Sequence, residues 1–246
     1  MDAGSTGGGW VGALVGVPAA LLMAVLRRVR GPRPIHTTGL LLDGTVRWAA
    51  PTAAKAGIAW IDERGAGGSS EVVARLSRGA ALPASLPDVL GLAVRFGTLQ
   101  GEADLLVSSS GFGFPGRFVL HPRWTPARAR FSTVMPYRGE HGPVLVAARS
   151  RRPLALPAAM ERIAAVLHRE PWLVDLYFAS PRGRWHRFAE LDLVPAAVRD
   201  TAAVRFDAVL HPLPGAGTYA WTRTLREPGY AEARRSRSVR PGRLRR

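Results

Sequence analysis

Between residues 39 and 209 the chain is a succession of short apolar-rich segments, each bounded by glycine, proline or another turn-forming residue. This punctuation, more than any other feature, limits what the chain can fold into. The segments fall at 39–48, 57–61, 89–96, 103–109, 117–120, 143–148, 173–179, 185–193 and 204–209. Several alternate with period two. In Leu173-Val-Asp-Leu-Tyr-Phe178, the residues at 174, 176 and 178 form one apolar face, as a half-buried strand requires. Residues 70–76 suit either period, because Val72, Val73 and Leu76 fit a strand or a helix. Only 157–168 reads as a helix, with Pro157 at its start and apolar residues at helical spacing. Many short strands with few helices predict an α+β chain built on an antiparallel barrel or sandwich. No internal repeat is visible, and no domain boundary follows residue 34.

Composition narrows the chemistry. A hydrophobic content of 47% over 246 residues is enough to bury a substantial core. The absence of cysteine excludes disulfides, thiolate nucleophiles, iron–sulfur clusters and cysteine-ligated zinc or haem. The net charge of +16 is carried almost wholly by arginine, Lys55 being the only lysine. Seven arginines lie in the acid-free tail 234–246, without which the charge falls to +9. Such a tail reads as a solvated, disordered terminus, or as a binder of anionic lipid or nucleic acid. No aromatic residue is interleaved there, so no specific nucleic-acid partner is expected.

Residues 3–26 carry no charge, and 10–26 form an apolar run followed by Arg27, Arg28 and Arg30. A membrane-spanning helix needs about 20 apolar residues, so this run of 17 is borderline. It reads either as a peripheral or single-helix membrane contact, with the arginines on the cytoplasmic side, or as an arm packed on the domain. Asp2, together with the lack of a basic n-region, argues against a signal peptide.

Five segments hold residues with chemical potential. Arg33 and His36 precede the first strand, with Gly39 and Gly44 three and eight residues after the histidine. Arg75 and Ser77 lie two apart within 73–77; Asp88, Gly91 and Phe96 mark the next segment; Asp104 and Ser108 mark the one after. Far downstream, Arg226 and Tyr230 are four residues apart, a spacing that shares one helix face. The remaining histidines, His121, His141, His168, His186 and His211, are scattered without metal-ligand spacing, and no Gly-x-Ser-x-Gly elbow is present. Asp88 and Asp104 read as turn-pinning residues.

In this order the five segments resemble the catalase superfamily. Arg33, His36 and Gly39 are similar to its distal-histidine strand, Arg75 and Ser77 to its arginine-x-serine strand, and Arg226 with Tyr230 to its proximal haem-ligand helix. The resemblance implies an antiparallel β-barrel of catalase type with peripheral helices, spanning 34–233, preceded by an apolar N-terminal helix and linker (1–33) and followed by the basic tail (234–246). It implies haem b, with Tyr230 as the iron ligand supported by Arg226, and Arg33 and Arg75 at the propionates. His36 would be the acid–base residue and Ser77 its orienting partner. Ser108 stands where catalases have a distal asparagine, which argues against full catalase turnover more than against haem binding. The expected function is therefore that of the small catalase-like branch, which includes allene oxide synthase-like proteins. Such a protein is a haem-dependent peroxidase or an enzyme of hydroperoxide metabolism, with peroxide or an organic or lipid hydroperoxide as partner. A homodimer and a cytoplasmic location, with contact to the inner face of the cell membrane, complete the expectations. Two residue-level alternatives stay open: Tyr230 as an exposed helical tyrosine packing on Arg226, and the whole chain as a haem-free, non-enzymatic binding or membrane-associated module of the same fold.

Overall fold

The period-two segments form nine strands: β1 (Gly39–Trp48), β2 (Ser69–Arg78), β3 (Leu90–Thr98), β4 (Gly101–Ser109), β5 (Arg130–Ser132), β6 (Tyr137–Gly139), β7 (Gly142–Ser150), β8 (Trp172–Ala179) and β9 (His186–Pro195). Two helices accompany them, α1 (Ala59–Asp62) and α2 (Met160–Leu167). The computed structural model describes residues 39–63, 67–99, 101–152, 154–197 and 204–222. The apolar run 10–26, Arg33, His36, Arg226, Tyr230 and the basic tail lie outside the described residues. Ile35–Gly217 make one compact unit. Of the second unit only 218–222 are described: the Tyr219 and Trp221 rings stack at 6.4 Å, and Thr222 Oγ1 donates to the Tyr219 carbonyl.

Every pairing is antiparallel. Neighbours run β5-β4-β3-β2-β1-β9-β8-β7, and β7 returns to β5, closing an eight-stranded barrel. β6 pairs with β7 alongside the β5 contact and continues that edge.

Closure follows from the alternation. Leu42, Val46 and Trp48 of β1, Val72, Ala74 and Leu76 of β2, and Leu90, Leu92, Val94 and Phe96 of β3 point inward and are buried in one core cluster. The same inward stripe continues through Leu105 and Val107, Val146 and Ala148, Val174 and Leu176, and Leu191 and Leu193. Each valine, leucine and phenylalanine among them stabilises the barrel by about 1.5–3 kcal/mol through burial alone. The ambiguity at 70–76 resolves as strand because residues 72, 74 and 76 are the buried ones.

Three expected strands form otherwise. Residues 57–61 turn into α1 because the Asp62 carboxylate accepts the Ala56 and Gly57 N–H groups at 2.9 and 2.7 Å, and Gly57 adopts φ +66. This fold-back drives Trp60 into the barrel end, where its ring meets Trp48, Phe96 and Phe188 edge-on. Residues 117–120 begin with a 3-10 turn at Gly116–Phe118 and make only a single bridge, Ser110 to Leu120. Residues 204–209 run as a loop held by side chains instead of a ladder. The helix expected at 157–168 starts later, since Ala159 is extended, and α2 buries Met160, Ile163 and Leu167 while packing on β9 and β1. Among the described residues no helix is long and apolar enough to cross a membrane.

At the opposite barrel end from Trp60, Arg78 and Asp88 are both buried. The Arg78 guanidinium donates to the carbonyls of Leu82, Pro83, Leu86 and Trp124, while Asp88 accepts the Ala80 and Leu82 N–H groups. Together they pin the loop between β2 and β3.

Candidate functional site

On the outer face of the barrel the strand register sorts the predicted residues into rows. Gly39 faces Ser77, Ser77 faces Gly91, Gly91 faces Ser108 and Ser108 faces Ser132. Two residues along the strands lies a second row, Leu41, Arg75, Ala93 and Leu106, and beyond it Asp43, Val73, Arg95 and Asp104. Ser77 and Ser108, 31 residues apart in the chain, thus flank Gly91 on one side of the sheet, with Arg75 one outward position from Ser77.

The first row carries no side chain larger than a hydroxymethyl group. Gly39 is required there for space: a Cβ would stand 2.7 Å from Arg75 Nε and 3.0 Å from the Leu76 carbonyl oxygen. Arg75 therefore occupies the volume that a side chain at 39 would fill. Ser77 is buried, and its hydroxyl donates at 3.4 Å to the Gly91 carbonyl. Ser132, at the end of the row, is structural. Its hydroxyl receives the Ser110 hydroxyl at 2.9 Å and the Val134 N–H, and donates to the Arg117 carbonyl at 2.8 Å.

The third row fixes the border of the face. Asp104 is fully buried and accepts from Arg95 Nε and Nη2 at 2.7 and 2.8 Å and from the Asp207 N–H at 2.7 Å. Arg95 Nη2 also donates to the Arg205 carbonyl at 2.6 Å, and its guanidinium lies over the Phe206 ring at 5.3 Å. These hydrogen bonds raise the Arg95 pKa, chiefly through Asp104. By clamping 205–207 against β3 and β4, the latch brings Arg205 within electrostatic range of Arg75. Burial and the Arg205 charge together hold the Arg75 pKa below the usual arginine range. Positive charge from Arg75 and Arg205 thus lies beside the row of small residues.

Of the sequence-derived site residues, the structure brings Ser77, Ser108 and Arg75 onto one face. His36, Arg33, Arg226 and Tyr230 are among those outside the description. Arg205 escaped the sequence reading, as did the Asp104 latch that positions it. Its one signal was the alternation of Arg205 and Asp207 with Phe206 and Ala208. Among the described residues no group of three histidine, aspartate or glutamate side chains could hold a metal ion.

No protein-family model and no curated protein matches the chain. Solved structures do. The chain is similar to catalase A from Saccharomyces cerevisiae, with a TM-score of 0.64 and 12% identity over 88% of this chain and 64% of that one. A fungal catalase gives 0.61 at 12% identity, covering 87% of this chain and 61% of that one. A bacterial catalase gives 0.57 at 14% identity, covering 89% and 60%. The chain has the catalase fold. It spans less than two thirds of the length of each of these catalases.

Proposed function

We propose that the protein is a catalase-like haem protein that acts on peroxide or an organic hydroperoxide. The observation that carries this reading is the row Gly39, Ser77, Gly91 and Ser108 with Arg75 and Arg205 beside it, on a barrel of catalase fold. The residues present suit haem b, a planar group whose two propionates match paired guanidiniums. A bound haem would supply a redox-active iron.

The chain's own groups then divide the work. Arg75 and Arg205, with Arg33, would hold the propionates. Tyr230 would offer its phenolic oxygen to the iron, and a cation such as Arg226 would favour the ionised form of that ligand. A neutral imidazole at His36 would take the proton of the hydroperoxide and return it to the leaving oxygen. Ser77 sets the tautomer and tilt of that ring. Ser108 gives a short hydroxyl in place of an amide donor, which favours peroxidase or hydroperoxide-rearranging chemistry over full catalase turnover.

Protein produced with ample haem supply is expected to show a Soret band that shifts or disappears in Tyr230→Phe. A band unchanged in Tyr230→Phe would remove Tyr230 from the iron. Purification with no band, and no spectral response to added haemin, would leave the haem-free module as the correct account.

A further inference from the structure

A second site lies at the other end of the barrel, beside the Trp60 plug and away from the Gly39–Ser77 row. Three separate segments meet there around a cavity of about 220 Å³: the loop after β1 (Ala54, Lys55, Ala56), the β6–β7 turn with the start of β7 (His141, Pro143, Val144) and the β8–β9 connection (Phe178, Ser180, Gly183, Arg184, His186). Lys55, His141, Arg184 and His186 line it, and no acidic residue does. The nearest acids are otherwise placed: Asp62 accepts the Ala56 and Gly57 N–H groups, and Glu140 lies outside the lining.

The walls are built rigidly. Gly57 lies against the next turn so closely that a Cβ would stand 2.9 Å from the Glu140 and His141 nitrogens, and its carbonyl accepts the Glu140 N–H at 2.7 Å. This contact holds the loop that carries Lys55 against the turn that carries His141. On the far wall, the buried Arg117 donates through Nη1 to the Ser180 and Gly183 carbonyls, both at 3.0 Å. Trp185 turns away from the cavity, donates Nε1 to the Phe112 carbonyl at 2.7 Å and stacks on the Phe112 ring. With Trp185 anchored behind, its neighbours Arg184 and His186 face the cavity, and the His186 ring stacks on Phe178 at 5.4 Å. Such preorganisation lowers the cost of holding a ligand.

Two exposed cations, Lys55 and Arg184, and two imidazoles around one cavity with no acidic lining residue favour a compact, doubly charged anion. The floor of Val144, Pro143 and Phe178 is apolar and accepts a small organic group beside the anion. Cavities for drug-sized ligands run to about 300–1,000 Å³, so a dinucleotide is too large and a bare carboxylate leaves the charge unmatched. We propose that this cleft binds a small phosphate monoester, with Lys55 and Arg184 supplying charge and His141 and His186 donating ring N–H groups to the phosphate oxygens. The assignment stands independently of haem at the opposite end.

Calorimetric titration with glycerol 3-phosphate at physiological salt tests it, with glycerol and inorganic phosphate as comparisons. The full-length protein is expected to bind one equivalent with Kd below about 1 mM. Lys55→Gln with Arg184→Gln should weaken this at least about tenfold, by loss of two charge-assisted contacts. Arg162→Gln with Arg169→Gln, an equal charge change at exposed positions on and just after α2, should leave it within about twofold. Circular dichroism verifies that both variants fold. The proposal is overturned by the absence of saturable binding up to about 10 mM, by equal losses in the two variant pairs, or by inorganic phosphate or glycerol binding as tightly as the ester.

Discussion

Asp104→Asn tests the latch that borders the proposed haem face. The carboxylate is fully buried and accepts two bonds from Arg95 and one from the Asp207 backbone. The asparagine is isosteric but uncharged, so its main effect is to leave the Arg95 guanidinium, 17% exposed, without its buried partner. Breaking a buried pair in this way costs about 3–5 kcal/mol. Glu102 lies 3.0 Å from Arg95 Nη1 but is 54% exposed, and it recovers a minor part. The expected loss is therefore about 3 kcal/mol, at the low end of that range. Urea denaturation followed by far-ultraviolet circular dichroism reads it as a lowered midpoint at unchanged slope. The Arg95→Met, Asp104→Leu double variant, which leaves no unpaired buried charge, should lose less than the single one. Amide exchange should also quicken through 205–211, whose anchors are Arg95, the Asp104 side chain and the Asp104 N–H to His211 carbonyl bond. A loss under about 1 kcal/mol, or a double variant worse than the single, would refute the argument that charge pairing holds this segment.

Two further outcomes follow from the same geometry. Trp60→Ala removes a fully buried ring from the aromatic plug of Trp48, Phe96 and Phe188 and should cost about 3–5 kcal/mol in denaturant titration. A loss below about 1 kcal/mol would mean the barrel end does not depend on α1. Tyr177 has its pKa raised by burial and by the neighbouring Asp175, so the folded state holds the phenolic proton more tightly than the unfolded one. Its contribution is complete below the unfolded value near 10 and declines as pH rises from there toward the folded value. Thermal melts should accordingly show wild type losing stability relative to Tyr177→Phe only above about pH 10; parallel curves across that range would contradict the assignment.

How much of this was legible in sequence depends on the range of the interaction concerned. β1 was readable to the residue because its alternation and bounding turns are local. β5 and β6, three residues each, are too short to display a period. The segment 57–61 looks like a strand because its apolar content is high, but the Asp62 side chain reaching back to 56 and 57 closes it into a helix. Ser77 and Ser108 were identifiable singly by resemblance. Their alignment through Gly91 is a property of the β2–β3–β4 register, which no single segment encodes. Arg205 was invisible for the same reason, since the Asp104 contact that positions it spans 103 residues. The basic cavity needed three chain segments to meet, and its histidines looked scattered along the chain.

The most direct test of the central claim is a spectroscopic haemin titration of the wild type beside Ala93→Trp. Ala93 lies between Arg75 and Leu106 on the outer face, half-buried, so an indole there fills the floor on which the haem would rest without entering the barrel core. A Soret band saturating at one equivalent is expected for the wild type, and no saturable band for a folded Ala93→Trp. A wild type silent to haemin, or a variant that binds it as well as the wild type, would contradict the assignment of haem to this face.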